Sequence, residues 1–243
     1  MTVLSTWPFG TLRPLSYSLL VIDCPWDFEN YSDKGTKKGA DPHYNVMSLD
    51  AIKALPVSRL AQGDCLLLAW ATGAMLPKCI DTVKAWGFEY KTELIWRKLW
   101  PSGKPRMGTG YRARSFHEPV ILATLGRPKH KPLRSLFDGT SREHSRKPDE
   151  FFAMVEACCP NLMSRAELFS RENRPGWESW GDQSGKFNQS VNLIKRRKSP
   201  NGAPSHADLF AHPPRPARTP ESTGSASRPQ GGPRRETRIG GQA

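Results

Sequence analysis

The sequence lacks the patterns of disulfide-bonded, zinc-binding and membrane proteins. Its five cysteines include no Cys-x-x-Cys pair, so neither a disulfide framework nor a zinc site is predicted. No His-Glu-x-x-His motif occurs among its six histidines, and we expect no bound metal. The apolar run from Leu19 to Ile22 near the N-terminus is too short to span or target a membrane. These absences favour a protein of the reducing cytoplasm.

Acidic residues are few relative to basic ones. The chain has 36 Lys and Arg against 23 Asp and Glu, and its net charge of +13 favours an acidic partner such as nucleic acid or an anionic membrane surface. Residues 186–243 carry +8 of that charge and are rich in Pro, Gly and Ser, with little apolar periodicity. We therefore predict a folded domain over residues 1–185 and a basic, disordered tail over residues 186–243.

Short apolar runs alternate with helical patterns along the domain. Strands are predicted at residues 18–23, 65–70, 88–96, 119–124 and 165–169, and helices after Ser48, over 74–86 and over 148–159. This alternation implies an α/β fold with a mainly parallel sheet and helices on both faces, which binds ligands beyond the carboxyl ends of its strands. Two polar loops, residues 27–43 and 100–116, are long enough to serve a function.

The tetrapeptide Asp23-Cys24-Pro25-Trp26 directly follows the first predicted strand. A carboxylate at this point accepts a hydrogen bond from an amino group, Pro25 stiffens the turn, and Trp26 offers a flat face to a base. The pattern predicts a pocket that holds an amine. Taken alone, these residues are more often a strand-end acid and a core aromatic, and the following motifs favour the pocket.

The order of these motifs resembles that of the MT-A70-type adenine-N(6) methyltransferases, whose signature is Asp-Pro-Pro-Trp. The resemblance covers residues 17–185, and its segments are PHYNVMSLDAI, LLLAWAT, ELIWRK, KPDE, ELFSR and WESWGDQ. It implies a Rossmann-like class I methyltransferase with permuted motif order, in which the catalytic tetrapeptide precedes the cofactor-binding segment. The permutation accounts for the absence of a Gly-x-Gly-x-x-Gly fingerprint after any predicted strand.

The resemblance also implies roles for individual residues. The catalytic residues are Asp23, Cys24, Pro25 and Trp26; Tyr44 and Trp70 contact the substrate; Arg171, Asp182 and Gln183 hold the ribose and adenine of S-adenosylmethionine, with His117 and Asn173 as weaker cofactor contacts. Cys24 stands where the family has proline, and we expect its main-chain carbonyl to serve in place of that of the proline. Asp182 stands where relatives often carry Asn. A nucleophilic role for Cys24 is disfavoured, because cytosine-5 methyltransferases use Pro followed by Cys.

The implied activity is direct transfer of a methyl group from S-adenosylmethionine to the exocyclic 6-amino group of adenine. We expect DNA rather than RNA as the substrate, because the compact domain resembles the bacterial and phage members of the family. Two alternatives stay open: RNA adenosine N(6)-methylation, and a catalytically silent nucleic-acid-binding subunit of the same fold. The sequence also leaves open a homodimer or a partner subunit, and no membrane partner is expected.

Overall fold

A seven-stranded sheet organises the domain. The computed structural model describes residues 7–26, 46–108, 110, 112–142 and 146–188. The predicted loop 27–43, Tyr44 and the predicted tail beyond residue 188 lie outside the described residues. The disorder of that tail therefore stays a prediction.

The sheet is mainly parallel, as predicted. Its strands are β1 (Tyr17–Ile22), β2 (Ala61–Trp70), β3 (Glu89–Leu99), β4 (His117–Leu125), β5 (Leu136–Thr140), β6 (Arg165–Leu168) and β7 (Glu178–Trp180). They lie in the order β5-β3-β4-β2-β1-β6-β7. Only β4, of these seven strands, runs antiparallel to its neighbours β2 and β3.

Three helices cover the two faces of the sheet. They are α1 (Leu49–Lys53), α2 (Leu76–Ala85) and α3 (Asp149–Cys158). The hydroxyl of Ser48 accepts a hydrogen bond from the main-chain N–H of Ala51 at 3.2 Å, which caps α1 as its sequence predicts. The predicted helix over 74–86 opens as a 3₁₀ turn at Gly73–Met75 and becomes α-helical at Leu76.

Side chains of β1 alternate between the two halves of the core. Leu20 and Ile22 pack in the cluster that contains buried residues of α1 and α2, whereas Leu19 and Val21 pack with buried residues of α3. A strand buried on both faces needs apolar residues at every position, which is why β1 reads as an unbroken apolar run. The predicted placement of helices on both faces is confirmed.

Two strands and one strand direction differ from the sequence prediction. The edge strands β5 and β7 were not predicted, because β5 is buried only at alternate positions and β7 has three residues. Neither segment contains a continuous apolar run. β4 follows β3 with no helix among the described residues between them, and a connection without a crossover helix favours an antiparallel pair.

The sheet order brings the two ends of the domain together. β1, the first strand in the chain, lies between β2 and β6 and is parallel to both. The residues that follow β1 and β6 therefore meet at the carboxyl edge of the sheet, as the permuted motif order requires. Among the described helices, none has the length and hydrophobicity needed to cross a membrane.

Candidate active site at the carboxyl edge of the sheet

Asp23 lies at the end of β1, beside the end of β6. Its main-chain N–H donates a hydrogen bond to the carbonyl oxygen of Leu168, the last residue of β6, at 3.3 Å. Its side chain retains 24% of its exposure. The carboxylate is therefore held by the sheet but remains within reach of a ligand.

The turn that follows Asp23 is tight although it carries cysteine. The N–H of Trp26 donates to the carbonyl oxygen of Cys24 at 2.9 Å, and the N–H of Met47 donates to the carbonyl oxygen of Pro25 at 3.1 Å. Cys24 and Trp26 are both buried. Burial raises the pKa of the Cys24 thiol well above its ordinary value, with further contributions from Cys79 and Asp23, so the thiol is a poor nucleophile.

The indole of Trp26 is largely covered, so its predicted contact with a base stays a prediction. Its Nε1 atom is buried and has no hydrogen-bond partner among the described residues. The same residue forms an isolated parallel bridge with Met47, which ties the turn to the chain just before α1.

Lys147 joins Asp23 to two further charged side chains. Its ammonium lies 3.1 Å from Oδ1 of Asp23 and 3.2 Å from Oε2 of Glu118, which also contacts the ammonium of Lys98. We call these four residues the edge network. The ammonium of Lys147 also lies 4.8 Å from the ring centroid of Trp70, in a favourable cation–π contact.

The edge network balances burial against opposite charge. Burial raises the pKa of Asp23; Lys147 and, more weakly, Arg171 oppose that rise, and Glu118 adds to it. Burial disfavours the ammonium of Lys147, but the carboxylates of Asp23 and Glu118 outweigh it and raise its pKa. Burial likewise disfavours the carboxylate of Glu118, yet Lys147 and Lys98 together lower its pKa. Lys147 therefore stays charged and favours the ionised form of Asp23.

The chain after β6 turns sharply without a glycine-rich loop. Phe169 adopts a left-handed conformation, with φ of 57°, and its ring packs edge-on against Trp180 at a centroid distance of 5.0 Å. Gly181 approaches the Phe169 main chain so closely that an added Cβ would lie 2.9 Å from its Cα. Aromatic packing and this close approach hold the turn that directs the following residues to the site.

Four of the predicted cofactor residues gather on this segment. The N–H of Phe187 donates to the carbonyl oxygen of Arg171 at 3.2 Å, and the N–H of Asn173 donates to Oδ1 of Asn188 at 3.0 Å. The stretch that carries Asp182 and Gln183 thus folds back onto the stretch that carries Arg171 and Asn173. Three residues assigned to the tail by sequence, 186–188, take part in this arrangement.

A second set of ion pairs supports the same segment. Arg142 makes two contacts of 2.6 and 2.9 Å to Asp149, Arg174 contacts both Asp149 and Glu172, and Arg146 makes a bidentate contact to Glu172. We call these five residues the arginine network. It ties Arg142 and the segment 146–149 to residues 172–174.

Glu167 is a buried acid of β6 next to the arginine network. Burial raises the pKa of its carboxyl to about 7, with Arg174 and Ser170 opposing the rise. Its Oε2 atom has no hydrogen-bond partner among the described residues, and the nearest cation is Nε of Arg174 at 4.0 Å. Asp23 is close enough to contribute to the same rise.

Two predicted site residues lie apart from this group. Trp70 is 1% exposed and packs against Trp96, Phe137 and Phe151. Its contact with the site is through the ammonium of Lys147, which lies over its ring. His117 is exposed at the start of β4, and β2 and β1 separate it from the segment after β6. A direct role for either residue stays a prediction.

Sequence reasoning missed three charged residues of the site: Lys147, Glu118 and Glu167. Lys147 is the first residue of the KPDE segment, but nothing in that segment identifies its partners. Glu118 stands just before the predicted strand 119–124, and Glu167 lies inside the predicted strand 165–169. No local pattern signals a pairing between side chains so distant in the chain.

Comparison with known proteins gives the site a context. A profile of the MT-A70 family matches residues 17–183. The type II methyltransferase M.MunI of Mycoplasma sp is 28% identical over 190 residues, which cover 71% of this chain and 80% of that protein. The N(6)-adenine-specific methyltransferase METTL4 of Mus musculus is 29% identical over 192 residues, covering 71% of this chain and 38% of that protein.

A relative with an RNA substrate in its name also matches. The N6-methyladenosine RNA methyltransferase MTA1 of Cryphonectria parasitica is 26% identical over 181 residues, covering 71% of this chain and 53% of that protein. The chain therefore spans most of the bacterial relative but less than two thirds of METTL4 and MTA1.

Proposed function

We propose that this chain, which belongs to the MT-A70 family, transfers a methyl group from S-adenosylmethionine to the exocyclic 6-amino group of adenine in DNA. The observation that carries this proposal is the partly exposed carboxylate of Asp23 at the carboxyl edge of the sheet, beside the Cys24 carbonyl and paired with Lys147.

Asp23 and Cys24 supply acceptors for the two hydrogens of an amine. A carboxylate has about four lone-pair positions, and Lys147 occupies one of them. The Cys24 carbonyl accepts from Trp26 and retains a second lone pair. Hydrogen bonds from the adenine amine to these oxygens would localise the nitrogen lone pair, which is otherwise delocalised into the ring. That localisation makes the nitrogen a nucleophile in line with an electrophilic methyl group.

The end of β6 and the residues after it suit S-adenosylmethionine. When bound, that cofactor supplies an activated methyl group on a sulfonium. The buried Glu167 oxygen, which has no hydrogen-bond partner among the described residues, suits a cationic group. Arg171, Asp182 and Gln183 would hold the ribose and adenine, with Asn173 as a further contact. The charge of Arg171 acts on the carboxylate of Asp23, which supports a location of this segment near the amine acceptors.

We prefer DNA because the chain covers 80% of M.MunI, a type II methyltransferase, against 38% of METTL4 and 53% of MTA1. RNA is the alternative, since MTA1 is named an RNA methyltransferase and matches over 71% of this chain. The pocket chemistry is the same for both, because the amine and the adenine ring are shared. A target base in a duplex must leave the stack before its amine reaches Asp23.

The test is methylation of matched oligonucleotides. The full chain is incubated with radiolabelled S-adenosylmethionine and with DNA or RNA strands of the same sequence, and the digested nucleosides are identified. We expect labelled N(6)-methyldeoxyadenosine. Label in N(6)-methyladenosine alone would show that the substrate is RNA and not DNA. Label in neither, with folding and cofactor binding verified, would indicate a silent binding subunit.

A further inference from the structure

An ordered hairpin extends from the end of β3. The N–H of Trp100 donates to the carbonyl oxygen of Lys104, that of Gly103 donates to Trp100, and that of Arg106 donates to Lys98, each at 2.8 Å. Leu99 and Pro105 form an antiparallel bridge across the hairpin. The position of the Trp100 side chain is therefore set by main-chain hydrogen bonds.

The hairpin exposes an aromatic ring with a cation stacked on it. Trp100 is 46% exposed, and the guanidinium carbon of Arg106 lies 4.5 Å from its ring centroid. Tryptophan is usually well buried in a folded domain, so an exposed and positioned indole is unusual. Met107 and Phe116 are exposed nearby in the chain, at 57% and 40%. The surface therefore combines flat apolar area with positive charge.

The charge of this segment has one sign. Residues 99–117 contain Lys104, Arg106, Arg112 and Arg114 and no acidic residue. If a second copy of this chain bound here through the same surface, two positively charged segments would face each other and repel. An acidic polymer with flat rings complements it better, because base–aromatic stacking and phosphate neutralisation act together.

The hairpin lies at the same edge of the sheet as Asp23. It begins two residues after Lys98, which contacts Glu118, and Glu118 contacts Lys147 at Asp23. The edge network thus connects the base of the hairpin to the amine acceptors. A strand whose adenine enters the site would have its neighbouring nucleotides near this hairpin.

We propose that Trp100 and Arg106 form a stacking platform for an unpaired base next to the target adenine. The inference rests on the proposed function, since it requires a nucleic-acid substrate. Trp100 contributes one face of its indole, on which the base stacks. Arg106 covers the opposite face and neutralises a phosphate of the same strand. The platform binds any base, because every base has a π face, and so it supplies affinity for single strands without defining sequence.

The test compares four full-length variants in binding a fluorescent single-stranded DNA of about 20 nucleotides over a range of salt concentrations. Trp100→Ala should weaken binding by roughly five- to tenfold with an unchanged salt slope, since stacking is lost but no charge is removed. Trp100→Phe should retain most of the affinity. Arg106→Gln should weaken binding and reduce the salt slope by about 0.7, the value for one phosphate contact on a single strand.

Tyr90→Ala is the matched control. Tyr90 is an exposed aromatic at the other end of β3, about 30 Å from Trp100 at the rise of an extended strand. We expect it to bind as the unmodified chain does. Duplex DNA is the second control, because a paired base has no free face for Trp100, and the loss on Trp100→Ala should be smaller there.

The outcomes separate this inference from the proposed function. If the unmodified chain binds and methylates nucleic acid while Trp100→Ala binds equally well, the platform is wrong and the function stands. Equal losses in Tyr90→Ala and Trp100→Ala would also overturn the platform, as would a change in oligomeric state with unchanged DNA affinity. If the unmodified chain neither binds nor methylates nucleic acid, both proposals fail together.

Discussion

The edge network and the arginine network lie near each other but use different cations. In the edge network, a single lysine ammonium is placed between the carboxylates of Asp23 and Glu118. In the arginine network, planar guanidinium groups make paired contacts to Asp149 and Glu172. A guanidinium fixes distance and orientation at once, whereas an ammonium acts as a point charge.

This difference assigns a separate role to each network. The side chains of the arginine network join Arg142 and the segment 146–149 to residues 172–174, and we interpret the network as a support for the cofactor segment. The edge network joins no two main-chain segments through a paired contact. Its main effect is on proton affinity, because Lys147 opposes the rise that burial imposes on the pKa of Asp23.

The largest expected effect is on the rate of methyl transfer. It is tested by replacing one acid in each network and measuring both activity and stability. Asp23→Asn should lower kcat by roughly 100- to 1000-fold, because a neutral amide is a poor acceptor for the amine. Its unfolding free energy should change by only about 1 kcal/mol, because Lys147 keeps its contact with Glu118 and the amide can still accept a hydrogen bond. The measurements are single-turnover methyl transfer and urea unfolding.

Glu172→Gln is the matched variant in the arginine network. Its side chain is 10% exposed, and the substitution removes the charge from its bidentate contact with Arg146 and from its contact with Arg174. Breaking such a buried pair should cost about 3 kcal/mol of stability. Transfer at low temperature, where the variant is folded, should stay within a few-fold of normal. If Glu172→Gln lost activity as completely as Asp23→Asn, the separation of roles would be wrong.

A second prediction concerns the pH at which activity appears. If Asp23 accepts the amine as a carboxylate, kcat/KM falls as pH drops through its pKa. Lys147 holds that pKa down, so Lys147→Met should move the acid limb to higher pH. Lys98→Met is the control, because Lys98 contacts Glu118 and not Asp23 in the network and should shift the limb less. An acid limb unmoved by Lys147→Met would remove Asp23 as the titrating group.

The smallest expected effect is on the pH dependence of stability. The pKa of Glu167 is about 7 in the folded protein against an ordinary value of 4.5. Between these pH values the folded state binds more protons than the unfolded state, so stability falls as pH rises from about 4.5 to 7 and is level above that. Glu167→Gln removes this loss, and it should be more stable than the unmodified chain at pH 8 by on the order of 1–3 kcal/mol.

Thermal unfolding at pH 5 and pH 8 measures this difference. The two proteins should be nearly equal at pH 5, where Glu167 is protonated in the folded state. Some pH dependence should remain in the variant, because burial also raises the pKa of Asp23. If Glu167→Gln lost as much stability between pH 5 and pH 8 as the unmodified chain does, Glu167 would not be the group responsible for that loss.

The central strands and all three helices were predictable because their patterns are local. β1 and the buried part of β2 are apolar runs, α1 begins at a capping Ser48, and α3 begins after a proline with acids in its first turn. The edge strands β5 and β7 were not predictable, since a short strand at an edge is defined by its neighbour rather than by its own residues. The same holds for the antiparallel direction of β4.

The candidate site divides in the same way. Asp23 and the turn after it were visible as a motif at the end of a strand, and Arg171 followed a second strand in the expected order. The charged residues that support the site are Lys147, Glu118 and Glu167. Their roles depend on which side chains lie near them in the folded protein. Burial changes the proton affinity of each, and burial is a property of the packed molecule.

The order of residues along this chain was sufficient to identify strands, their acidic and aromatic termini and the basic composition of the whole, because these depend on neighbours in sequence. Which carboxylate meets which cation was decided only when parallel strands from both ends of the domain were placed side by side. Coulomb interactions and desolvation act over a few ångströms in space, whatever the separation along the chain.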